Sequence, residues 1–110
     1  MNVNISDIWG KIQTMANNFH NSDCVDCDSY EWNTNITSVE ELRSQFMDIT
    51  SAIIDANANA RLIKRIDCMC MLLDFTGLCF RVGFYRSIDG SFMMFVDFQV
   101  NPVDYAEFHL

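Results

Sequence analysis

Ile5, Ile8, Trp9, Ile12, Met15 and Phe19 recur at three- and four-residue steps and draw one apolar stripe. That is the spacing of a helix laying one face on a core, and it predicts a helix from about residue 5 to 19. Asn4 precedes it as an N-cap, and Asp7 falls in the first turn, where the helix dipole favours negative charge. Periodicity then stops. Residues 20–37 contain Asp23, Asp26, Asp28 and Glu31 beside Tyr30 and Trp32, and read as a long acidic loop. Ser38 with Glu41 three positions later is a capping-box signature, and Val39, Leu42, Phe46, Ile49 and Ile53 follow at helical steps. This predicts a second helix over 38–58, weakened near Asn57 and Asn59. Alternatively, Ala56, Ala60 and Ile63 prolong the stripe and carry the helix through Arg65.

The pattern changes to strand in the second half. Segments 66–75, 78–86 and 92–100 are short, rich in aromatic and β-favouring residues, and separated by turn signals. Thr76-Gly77 joins the first two as a two-residue turn. Ile88, Asp89 and Gly90 join the next two, with Gly90 in the left-handed region as a bulge. That loop sets Phe84 opposite Met94, Val82 opposite Val96 and Phe80 opposite Phe98, with Arg81 opposite Asp97 on the other face. A one-residue slip would mix apolar and polar residues on both faces. The Thr76-Gly77 turn sets Leu73 opposite Phe80, Met71 opposite Val82, Met69 opposite Phe84 and Asp67 opposite Arg86. Asn101-Pro102 reads as the start of a short helical turn within 101–110. The expected fold is a single α+β domain over 1–110: two N-terminal helices packed on a three-stranded antiparallel meander, in the order ααβββ. The other face of the meander, carrying Tyr85, Met93 and Phe95, is apolar enough to suggest cover by another segment or by a second copy.

Charge narrows the function. Fifteen acids oppose seven bases in 110 residues, a formal net charge of −8 and a pI near 4.3. Such a chain repels nucleic-acid phosphates and anionic membrane surfaces. No apolar stretch reaches the length of a bilayer span. The first residues lack the basic and apolar regions of a signal peptide, so a cytoplasmic protein is expected.

The candidate chemistry is sparse. A zinc set can be drawn from Cys24, Cys27, Cys68 and Cys70. Two cysteines one residue apart on a strand sit roughly 6.5–7 Å from each other, however, which is wide for one tetrahedral ion. Reduced thiols are the simpler reading, and no metal or cofactor is expected. The two histidines, His20 and His109, stand at a helix end and near the chain end, and no phosphate loop or nucleophile elbow occurs. No catalytic residues are therefore assigned, and the chain is not expected to be an enzyme. The remaining signal is acid interleaved with aromatic residues. Asp23, Asp26, Asp28, Tyr30, Glu31, Trp32, Glu40, Glu41 and Asp48 form the expected contact surface for a basic partner, with charge for steering and Tyr30 and Trp32 as anchors. The expected function is a non-enzymatic inhibitor that occludes a basic, nucleic-acid-active protein, a nuclease-type toxin or a host defence protein. That is the role of a toxin-immunity or phage counter-defence protein. The alternatives are an assembly subunit, a homodimer joined through Tyr85, Met93 and Phe95, and a small zinc protein.

Overall fold

The structure is a computed structural model that describes residues 3–21, 29–67 and 69–98. Its elements run α1 (Ile5–His20), β1 (Ser29–Asn33), α2 (Val39–Asp55), β2 (Ala60–Asp67), β3 (Cys70–Phe75), β4 (Leu78–Arg86) and β5 (Phe92–Phe98). The fold is α+β, with two helices and a five-stranded antiparallel sheet in the order β1-β5-β4-β3-β2. The expected three-stranded meander is therefore corrected to five strands. Its three members became β3, β4 and β5, and an edge strand was added at each side.

Both helices begin where their caps predict. The Asn4 side chain accepts the Ser6 amide at 2.8 Å, and the Ser38 hydroxyl accepts the Glu41 amide at 3.2 Å. The second helix stops at Asp55, with Ala56 as its C-cap. Residues 60–67 form a strand, so the extension of that helix through Arg65 is overturned. The helical stripe misled because β2 is an edge strand broken by two irregularities, between Leu62 and Lys64 and between Arg65 and Asp67. Each inserted residue shifts the alternation by one and erases the period of two.

The expected strand 66–75 is also divided. The chain reverses between Asp67 and Cys70, which pair with each other across β2 and β3. The apolar run on both sides contains no Gly, Pro or Asn to mark the turn. The expected Asp67–Arg86 pair is lost as a result. Arg86 pairs with Phe92 instead, its guanidinium 4.7 Å from the ring centroid.

The two hairpin registers are as the turns dictate. Leu73 pairs with Phe80 and Met71 with Val82, and Thr76 and Gly77 take φ of 55° and 86°. Phe80, Val82 and Phe84 pair with Phe98, Val96 and Met94, and Gly90 has φ 90°. The inner face of the sheet, Met71, Leu73, Phe80, Val82, Phe84, Met94, Val96 and Phe98, meets Ile8, Ile12, Met15, Leu42, Phe46, Ile49 and Ile53 from the helices in one core. Phe46 meets Phe84 edge-on with ring centroids 5.8 Å apart. The Trp9 indole nitrogen donates to the Ile53 carbonyl at 2.8 Å and ties the helices together. The expected helical turn over 101–110 and the last two residues of the strand expected to Val100 lie outside the described residues.

Two glycines separate packing from propensity. A Cβ on Gly83 would stand 2.8 Å from the Phe95 ring tip and 3.0 Å from the Met69 carbonyl oxygen, while one on Gly10 meets nothing within 4 Å. Gly83→Ala is expected to lower stability by about 1–3 kcal/mol through overpacking. Gly10→Ala, inside an exposed helix face, is expected to raise it by about 1 kcal/mol. Urea unfolding of the two variants checks the pair, and effects of the same sign would contradict this packing.

Candidate functional site

Alternation in β1 decides which of the expected contact residues reach a partner. Tyr30 pairs with Val96 and Trp32 with Met94, so both rings face inward, while Ser29, Glu31 and Asn33 face outward. The Tyr30 ring lies under the Lys11 ammonium, 5.1 Å from its centroid, and both aromatics pack against the core. The Trp32 indole nitrogen donates to the Asp7 carboxylate at 2.6 Å. These two residues fix β1 beneath α1, and their assignment as partner anchors is corrected on that ground. The sequence Ser-Tyr-Glu-Trp-Asn did alternate polar and aromatic, and that period of two was the signal for a strand. Asp23, Asp26 and Asp28 lie outside the described residues, as do Cys24, Cys27 and Cys68.

The outer face of the sheet carries the densest set of polar and aromatic groups. Glu31 comes from β1, Phe95 and Asp97 from β5, and Arg81 and Tyr85 from β4. With Ser29 they line an open cavity of about 210 Å³. Arg81 holds Asp97 with two parallel bonds, 2.6 Å from Nη2 to Oδ2 and 3.2 Å from Nε to Oδ1. This is the cross-strand pair expected from the register, in the bidentate form that arginine favours. The same guanidinium stands 5.0 Å from the centroid of Phe95, and the Tyr85 and Phe95 ring centroids are 6.2 Å apart. Phe95 can lie down on the sheet because its cross-strand partner is Gly83. Tyr85 and Glu31 line the same cavity, and hydrogen bonding toward the Glu31 carboxylate first, then burial and the Glu31 charge, raises the phenol above its ordinary pKa of 10. Tyr85, Met93 and Phe95 thus share one face, as expected, with Met93 and Phe95 half-buried and Tyr85 exposed.

Deeper on this face, Cys79 is fully buried and pairs with Asp74. Burial, followed by the nearby carboxylates of Asp74 and Asp97, pushes its thiol up to about 11, so it remains protonated at neutral pH. Cys70 is half-buried. Among the described residues, no three His, Cys, Asp or Glu side chains stand close enough to hold a metal ion.

Exposed acids stand on α2 and β1. Glu40, Glu41 and Asp48 are exposed along α2, and Glu31 is exposed on the β1 edge. A backbone hydrogen bond, the Ser38 hydroxyl, Arg43 and Arg86 together lower the Glu40 pKa. Three of the seven bases, Arg61, Lys64 and Arg65, stand on β2 at the opposite edge of the sheet. Arg61 contacts the buried Asp74 at 3.3 Å, and Arg65 donates to the Thr50 hydroxyl at 3.2 Å.

At the end of β4 and β5 the chain turns through Ser87–Ser91. The Ser87 amide donates to the Ser91 carbonyl at 2.8 Å and the Gly90 amide to the Ser87 carbonyl at 3.0 Å. One carboxylate oxygen of Asp89 accepts the Ser87 hydroxyl at 2.5 Å, the Ser91 hydroxyl at 2.7 Å and the Ser91 amide at 2.9 Å. These bonds, the Ser87 hydroxyl first, bring its pKa from the ordinary 3.8 to about 2. Ile88, at the tip, is fully exposed.

Comparison of the chain with family models, with curated proteins and with solved structures finds no match. No helix among the described residues is long and apolar enough to cross a membrane.

Two outcomes follow from this geometry. Trp32→Ala is expected to lower stability by about 2 kcal/mol, the order of a partly buried aromatic truncation. Urea unfolding checks this, and an unchanged midpoint would contradict the inward placement. For Asp89 the folded pKa lies below the unfolded one, so its bonds hold the tip above the ordinary value and release it as pH falls through the folded value. Protection of the Gly90 and Ser91 amides against exchange is expected to fall between about pH 4 and about pH 2. Constant protection across that range would show that the carboxylate does not hold the turn.

Proposed function

We propose that the protein is a non-enzymatic, acidic protein-binding inhibitor that occludes a basic, nucleic-acid-active partner, as a toxin-immunity or phage counter-defence protein does. It works in the cytoplasm and contacts neither nucleic acid nor membrane directly. The observation that carries this reading is the set of exposed acids on α2 and β1. Glu31, Glu40, Glu41 and Asp48 are exposed there, against one base on α2, Arg43, while three of the seven bases stand on β2, the edge strand opposite β1. Steering by an acidic surface accelerates encounter with a basic surface that otherwise accepts phosphates. Asp23, Asp26 and Asp28 precede β1 in sequence and add to the same charge. The aromatic contacts come from Tyr85 and Phe95 on the outer face, in place of Tyr30 and Trp32. Tyrosine and arginine held in place by neighbours are the residue types that dominate interfaces, because little freedom is lost on binding.

The test is capture of the partner from the native host, its identification by mass spectrometry, and measurement of its association rate against salt. The rate is expected to fall at least about tenfold between low and high salt. Glu31→Gln, Glu40→Gln, Glu41→Gln and Asp48→Asn together should slow association to a similar degree and flatten that dependence. A salt-independent rate, or an unaltered rate in the neutralised variant, overturns the reading.

One observation favours a second reading, the homodimer: Tyr85 is 39% exposed beside half-buried Phe95 and Met93 on the sheet face opposite α1 and α2. Sedimentation equilibrium distinguishes it. A monomer at high micromolar concentration excludes a subunit built through that face.

A further inference from the structure

The β4–β5 tip presents an apolar side chain that takes no part in the core. Ile88 is exposed at 109%, whereas the other large apolar residues on the surface, from Leu62 at 38% to Met47 at 52%, each keep part of their area covered. Single apolar side chains on a surface are ordinary. Two features set Ile88 apart. The turn that carries it is locked from both sides, by the two backbone bonds between Ser87, Gly90 and Ser91 and by the three donors on one Asp89 oxygen. It also borders an open hollow walled by Tyr85, Arg86, Ser87, Ile88 and Asp89, and Tyr85 belongs to the outer-face cavity as well. A rigid knob thus stands at the end of a continuous strip of aromatic and polar surface.

We infer that this hairpin tip is the hydrophobic anchor of the partner interface, with Ile88 seated in an apolar socket of a basic protein. The inference deepens the protein-binding reading above and rests on it. The socket is rimmed by lysine or arginine, because the carboxylates around the tip outnumber its bases. Glu31 lines a cavity with Tyr85, Glu40 stands near Arg43 and Arg86, and Asp89 lines the hollow beside Ile88. Against these three stand Arg43 and Arg86, and the Arg86 guanidinium is stacked on Phe92. The same surplus repels the anionic headgroups of a membrane. Preorganisation of the loop removes the ordering cost that a mobile tip would incur on binding.

The experiment uses the partner recovered by the wild-type chain, purified and immobilised, with Ile88→Ser and Ile88→Leu as variants. Ile88→Ser is expected to speed dissociation about 30-fold, the size of an interface hot spot. The association rate and its salt dependence should be retained, since steering resides in the carboxylates. Ile88→Leu should remain within a few-fold of wild type. The urea midpoint of Ile88→Ser should match wild type, because the side chain is fully exposed. If wild type captures a partner with a salt-dependent rate and Ile88→Ser dissociates no faster, the anchor is overturned and the protein-binding reading stands. If wild type captures no partner, both fall together. Binding to phosphatidylcholine vesicles that is abolished by Ile88→Ser would assign the tip to lipid and overturn the inference.

Discussion

Strand β4 lies in the middle of the sheet, with β3 on one side and β5 on the other, so its two-residue alternation sets the face of every neighbour. Phe80, Val82 and Phe84 point at the helices, and Cys79, Arg81, Gly83 and Tyr85 point away. A slip of one residue would put a guanidinium into the core and three large apolar side chains outside it. Two turns with positive φ fix the register, at Thr76-Gly77 and at Gly90. Both edge strands then take their phase from β3 and β5. Tyr30 and Trp32 face inward because Val96 and Met94 do.

The outer face follows from the same register. It stacks Phe95 over Gly83, sets Arg81 against Asp97, and brings Tyr85 beside Glu31. Arg81 and Asp97 hold each other there, and the buried Cys79 thiol is held protonated. Chemistry requires a group whose proton or electron pair is available, whereas recognition requires groups that are held still. The arrangement suits recognition, and the locked turn at Ser87–Ser91 extends the same rigidity to the end of the hairpin.

Much of the candidate surface was legible only in part. The acids of α2 were evident because helix period places Glu40, Glu41 and Asp48 off the apolar stripe. The aromatic anchors were misplaced because five residues of alternation, Ser29 to Asn33, were submerged in an acidic, aperiodic stretch. Ile88 was counted among loop residues, and nothing in its sequence context distinguishes an exposed isoleucine from one folded back on the sheet. The basic edge was hidden for a related reason: the bulges of β2 give Arg61, Lys64 and Arg65 a spacing that imitates a helix.

The sequence by itself determined the two helices, their caps, the registers of β3, β4 and β5, and the Arg81–Asp97 pair. All of these depend on residues near in sequence or on turns a few residues long, so local stereochemistry and alternation suffice. Only the tertiary structure decided that the sheet has five strands, that β1 pairs with β5 at positions 60 to 68 apart in the chain, and which way Tyr30 and Trp32 face. Short edge strands have too little period of their own to declare themselves. Their conformation is stabilised by hydrogen bonds to a neighbour that the local sequence does not contain.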